Sequence, residues 1–155
     1  MTNSEKIEYK ITLQKRCIAI LEDRIYSIRS AMKEAQLAAN SEEKSSAGDK
    51  YETARAMSHL EKNMQASRLS ASLKELENLL QGDCNKIFEV VQKGSFVQCD
   101  KVSYFIAAGL GKLLIENKTV FLISPNSPVA LKLSGKKAGD AFEFNNQKFT
   151  IKKVY

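Results

Sequence analysis

The stretch from Cys17 to Asn40, CIAILEDRIYSIRSAMKEAQLAAN, decides how the rest of the chain is read. Its apolar residues fall at Ile18, Leu21, Ile25, Ile28, Met32, Ala35 and Ala39, in alternating steps of three and four. That spacing returns side chains to one stripe of an α-helix. Sustained over three heptads, it makes a coiled-coil seam. Ile11 continues the pattern toward the N-terminus, and Gly48 is the only glycine or proline in the first eighty residues. A helix from about residue 5 to 40 runs roughly 54 Å at 1.5 Å per residue, too long for the core of a small globule.

A second stripe follows at Met57, Leu60 and Met64, then Leu69, Leu73, Leu76 and Leu80, with a slip of phase between Met64 and Leu69. Ser67, Ser70 and Ser72 keep the middle of this segment small-sided. Between the stripes lie paired serines and Gly48, which lower helix propensity where the seam pauses. Two helices of similar length joined by a short polar segment fold back on each other. Residues 1–81 are therefore expected to form an antiparallel coiled-coil helical hairpin with its tip near residues 40–50. A three-helix bundle and a dimeric coiled coil are the alternatives. Gln81-Gly82-Asp83 ends the second helix, with Gly82 expected in the left-handed cap conformation.

After Gly82 the period changes. KIFEVVQKGSFVQC and KVSYFIAAG are rich in Val, Ile, Phe and Tyr and read as strands. KLLIENKTVFLIS reads as a hairpin turning at Glu116-Asn117-Lys118, and AFEFNNQKFTIKKVY as another turning at Asn145-Asn146-Gln147. Between them, Ser127 is placed to cap a short helix, with Pro128 in its first position and Gly135 just past its end. Residues 82–155 are expected to form a small antiparallel sheet with one short helix, so the fold class is α+β.

Composition narrows the function. The first 81 residues hold 13 Lys+Arg against 12 Asp+Glu, whereas residues 82–155 hold 11 against 6. Nearly all of the net +6 is thus in the second half, which favours an acidic partner, nucleic acid or protein. The lysines are scattered rather than gathered into a DNA-binding stripe. Cys17, Cys84 and Cys99 are odd in number and have no CxxC spacing, which argues against a disulfide framework or a zinc site. His59 is the only histidine and sits inside a helical pattern, a poor start for a nucleophile–base pair. GLGK at Gly109–Lys112 lacks the spacing of a phosphate loop and reads as a turn. Tyr104, Phe105, Phe121, Phe142, Phe144 and Phe149 stand at strand spacing and read as core. No apolar run reaches the length of a membrane span, and the polar N-terminus does not resemble a signal peptide, so a cytoplasmic, non-enzymatic protein is expected.

The ordered set in ISPNSPVALKLSGKKAGDAFEF resembles the C-terminal domain of the Gre transcription elongation factors. Ser127-Pro128, Leu131, Leu133, Gly135-Lys136, Gly139-Asp140 and the closing strands stand in that family's order. The hairpin derived above is also similar to the coiled coil that precedes the family's FKBP-like domain. The resemblance implies a partner, bacterial RNA polymerase, and through it the nascent RNA and DNA of the elongation complex. Asn126, Ser127 and Pro128 are the implied docking residues. The coiled coil enters the secondary channel, where tip carboxylates help hold a catalytic Mg²⁺ that belongs to the polymerase. The resemblance implies no intrinsic cofactor.

At the tip the chain departs from the family. Anchored on Tyr51, the family's Asp-x-x-Glu falls on Lys44 and Ala47, which are not metal ligands. Carboxylates lie nearby instead, at Glu42, Glu43, Asp49 and Glu52. Asp49 and Glu52 also have the spacing of a capping box, so a structural role stands beside a metal-binding one. Two outcomes are open: stimulated transcript cleavage, or occupation of the channel without it. A coiled-coil interaction module with no polymerase role is the alternative.

Overall fold

The computed structural model describes residues 1–43 and 48–155, and side chains for all of these except residues 42, 43 and 48–51. Helix α1 spans Asn3–Glu43 and α2 Gly48–Gln81. Strands β1 (Phe96–Cys99), β2 (Ser103–Ile106), β3 (Gly111–Ile115) and β4 (Lys118–Ile123) follow, then α3 (Pro128–Leu133), β5 (Ala141–Phe144) and β6 (Gln147–Val154). The chain is α+β, a helical hairpin followed by a sheet with one short helix. Its contacts divide into two compact units, Leu21–Lys74 and Met1–Ile20 together with Glu75–Tyr155.

In the first unit the two helices run antiparallel. Asp23, Arg24, Ser27 and Ile28 of α1 line one groove of about 520 Å³ with Arg68, Ala71 and Ser72 of α2. The α1 stripe is inward as read: Leu21 and Ile25 are buried, and Ile28, Met32, Ala35 and Ala39 are half-buried. Of the α2 stripe only Leu69 and Leu76 are half-buried, and the rest is exposed. Met57 is 66%, Leu60 62% and Met64 45% exposed, so the expected seam is corrected. The inward file is Ala54, Ser58, Gln65, Leu69 and Ser72. Gln65 is buried with its amide donating to Glu61 Oε1 at 2.8 Å, which satisfies one polar group the seam encloses.

The second unit is built on a six-stranded sheet of order β3-β4-β2-β1-β6-β5. Every pairing is antiparallel except β2–β4, which is parallel. The parallel pair follows from placing the β3–β4 hairpin with β4 inward. Both hairpins turn on two residues at positive φ, Glu116-Asn117 and Asn145-Asn146. These are the left-handed pairs that match strand twist. On one face Val97, Cys99, Tyr104, Ile106 and Ile151 pack with Ala130 and Leu133 of α3 and the stacked rings of Phe142 and Phe149. The aromatics read as core are core here: Tyr104, Phe105, Phe142 and Phe149 are buried, and Phe121 and Phe144 partly so.

The base of α1 covers the opposite face. Tyr9 meets Phe96 edge-on at 5.2 Å, Phe96 lies 5.0 Å from Tyr155, and Lys6 stands over Tyr155 at 5.5 Å. Leu13, Cys17, Leu79 and Cys84 are buried beside it. Gln14 donates to the carbonyl of Leu79 at 3.3 Å, satisfying an acceptor in the last turn of α2. Glu75 of α2 accepts the Gly109 N–H at 2.8 Å, so the GLGK turn is where α2 holds the β2–β3 loop.

Two further expectations are corrected. Residues 86–93 are not a strand: Val90 makes a single bridge to Lys137, and Val91 exchanges backbone bonds with Gly135 and Lys136. The segment is a strap whose partners are the turn after α3, not another strand. Gly82 is not left-handed; the left-handed glycines are 94, 111, 135 and 139. Gly82 is small for a different reason, because a Cβ there would meet Gly94 Cα at 3.3 Å.

Candidate functional site: the Ser127 loop and the helical tip

The loop before α3 is held by two serines. Ser127 accepts the Ala130 N–H on its hydroxyl at 3.3 Å, the N-cap bond expected from the sequence. The same hydroxyl donates to the Ser124 carbonyl at 2.8 Å, and the Ser127 N–H reaches that carbonyl at 3.0 Å. Asn126 N–H donates to Ser124 Oγ at 3.3 Å. The four bonds fix the backbone of Asn126 and Ser127 and, through its hydroxyl, the Ser127 side chain. Pro128 occupies the first turn, where its missing N–H costs nothing. Ala130 and Leu133 turn into the core, while Asn126, Pro128 and Leu131 face outward.

The C-terminal end of α3 is equally fixed. Ser134 N–H returns to the Ala130 carbonyl at 2.9 Å, and Gly135 turns the chain at φ +79. Lys132 reaches the Glu143 carbonyl at 2.8 Å and lies over the Phe144 ring. Asp140 accepts the Lys137 N–H at 2.9 Å, which ties down the Gly139-Asp140 turn. The whole ordered set from Ser127 to Asp140 is therefore one rigid cap on the sheet.

At the tip, Glu42 and Glu43 close α1 and Asp49 lies in the first turn of α2, within the helix rather than ahead of it. The carboxylates of these three lie outside the described side chains, as do Lys44 and Ala47 altogether. Glu52 is exposed on α2. His59 is exposed on the same helix. Among the described residues no group of three or more His, Cys, Asp or Glu is placed to hold a metal, and no helix is long and apolar enough to cross a membrane.

Sequence reasoning missed Lys10. Its side chain is fully buried, its ammonium donates to the Lys86 carbonyl at 2.7 Å and lies 4.5 Å from the Phe88 ring. Burial pushes it down to about 8, with Cys84 and Asp83 pulling the other way. Its only signal was its place in the file that continues through Leu13 and Cys17. The thiols nearby are protonated: burial, with a smaller effect from Cys84, pushes Cys17 up to about 12, and burial raises Cys84. Neither has the thiolate character that makes a cysteine reactive.

A solved structure, that of the transcription factor Gfh1, is similar over most of this chain. The match covers 92% of each chain at 19% sequence identity, with a TM-score of 0.34. No protein-family model and no curated protein matches the sequence.

Proposed function

We propose that the chain is a Gre-like regulator of transcription elongation that binds RNA polymerase. The Ser127 loop docks on the rim of the secondary channel, and the α1–α2 tip enters it. The observation that carries this reading is the cap itself. The motif that resembles the Gre factors is the segment whose hydrogen bonds hold Asn126 and Pro128 outward on a fixed backbone. A merely structural capping loop accounts for Ser127 and for Pro128 in the first turn, but not for the exposed Asn126. Phosphodiester cleavage by the polymerase's own Mg²⁺ would draw on the carboxylates of Glu42, Glu43, Asp49 or Glu52 as hard oxygen ligands. With Lys44 and Ala47 at the family's acidic positions, channel occupancy with weak or no cleavage is the favoured outcome.

Purified chain retained on immobilised core RNA polymerase, and displaced by a cleavage-competent Gre factor, is the expected result. Asn126→Ala with Pro128→Ala should weaken retention without lowering the melting temperature. Backtracked complexes then report whether RNA is shortened from its 3′ end. Absence of binding to core polymerase overturns the proposal. It would leave the second reading, a helical interaction module, which the exposed file of Met57, Leu60 and Met64 favours.

A further inference from the structure

Below the base of α1 the sheet carries a pocket of about 220 Å³ that neither the polymerase-binding loop nor the tip uses. Its floor follows from strand register. Lys153, Gln98, Ser103 and Val120 are successive Cα partners across β6, β1, β2 and β4, so they form one row on one face. The neighbouring row on that face begins with Phe96 and Phe105. Tyr9 and Met1 bound the pocket from the α1 side, and Tyr155 and Phe96 give it an aromatic wall.

Lys153 is in this pocket because β6 is irregular. The register shifts between Gln98 and Cys99, which pair with Lys153 and Ile151, so Lys152 is an extra residue. Successive side chains of a strand alternate faces, and without that bulge Lys153 would share the α3 face with Ile151. The bulge turns it to the α1 face instead. Lys118, two residues before Val120 on β4, places a second lysine in the same lining. Neither lysine makes an ion pair among the described residues. Glu116 is the one acidic side chain in the lining; it also lines an adjoining cavity with Glu5, Glu8 and Tyr9.

We propose that this pocket binds a small aromatic anion, its ring against Tyr9, Phe96 and Tyr155 and its acid group on Lys118 and Lys153. Gln98 and Ser103 offer the floor hydrogen bonds that orient such a group. Burial, then Glu116, holds the Tyr9 phenol above its ordinary value, and burial, then Tyr9, does the same for Tyr155. Both phenols are therefore neutral donors rather than competing anions. The site is independent of the polymerase reading.

Phenyl phosphate is a suitable probe. Of the five tyrosines only Tyr9 and Tyr155 line the pocket, so their ring signals in NMR report it directly. Saturable binding is expected, about tenfold tighter than for inorganic phosphate or phenol alone. Lys118→Ala with Lys153→Ala should weaken it at least about tenfold, whereas Lys152→Ala should leave it unchanged. All three lysines are exposed, so the melting temperature should hold. Glu116→Gln should tighten binding by removing the opposing charge. Equal affinity in the double variant, or phosphate alone binding as well as phenyl phosphate, would overturn the assignment.

Discussion

The two units into which the helical hairpin divides, residues 1–20 with 75–81 and residues 21–74, obey different rules. At the base, Leu13, Cys17 and Leu79 are fully excluded from solvent, and even Lys10 is. In the Leu21–Lys74 unit α1 buries Leu21 and Ile25, but α2 contributes alanine, two serines, a glutamine and a single leucine, Leu69, to the inward file and leaves Met57, Leu60 and Met64 in water. The base has the sheet domain's strap and strands to fill its surroundings. Within Leu21–Lys74, the half-buried and buried positions of α2 are mostly small or polar. The lesson is that periodicity specifies a helix, whereas its neighbours choose the rotation.

Leu79→Ala probes the sealed end and has the largest expected effect, a loss of about 2–5 kcal/mol in urea unfolding, because the site cannot collapse around the void. An effect below about 1 kcal/mol would mean that Leu79 is not sealed as its burial implies.

Lys10 sharpens the same contrast through pH. Folding lowers its proton affinity from 10.5 to about 8, so the unfolded chain holds more protons between those values. This side chain alone therefore makes stability rise with pH across that window. The buried thiols act in the opposite sense above about pH 9, since folding keeps them protonated. Comparing wild type with Lys10→Met isolates the lysine: wild type should gain on the variant from pH 8 to 10. A constant difference would show a solvated ammonium.

Removing the cap hydroxyl with Ser127→Ala should cost about 1 kcal/mol. Its partner, Met57→Ala with Leu60→Ala, removes more apolar surface yet should change monomer stability by less than about 0.5 kcal/mol per site, as exposed positions do. A large loss from the second pair would restore the inward stripe that the structure moves outward.

How far the sequence could be read depended on how local each cause was. The cap at Ser127, Pro128 in the first turn and Gly135 after it are set by residues within one turn of one another, and all three were legible. So were the two hairpins, because Asn117, Asn145 and Asn146 tolerate positive φ. The phase of α2, the strap at residues 86–93 and the parallel β2–β4 pair depend on what lies alongside, which spacing cannot express. The residues proposed for docking were read only as a motif, and the hydrogen bonds that hold their loop involve Ser124, a residue with no pattern of its own. Lys153 was legible as a charge, but the bulge that turns it toward Tyr155 was not.

The pairing of β1 with β6 sets the order in which this sheet can assemble. Both two-residue hairpins close over a handful of positions and can form early. They are joined through β2 and β1, and β1 finds one of its two neighbours only when residue 97 meets residue 154. Such a distant closure costs chain entropy before it returns any contact, so sheet formation should be slow and all-or-none. Until that closure, the aromatic surface that shelters under α1 has no complete floor to rest on.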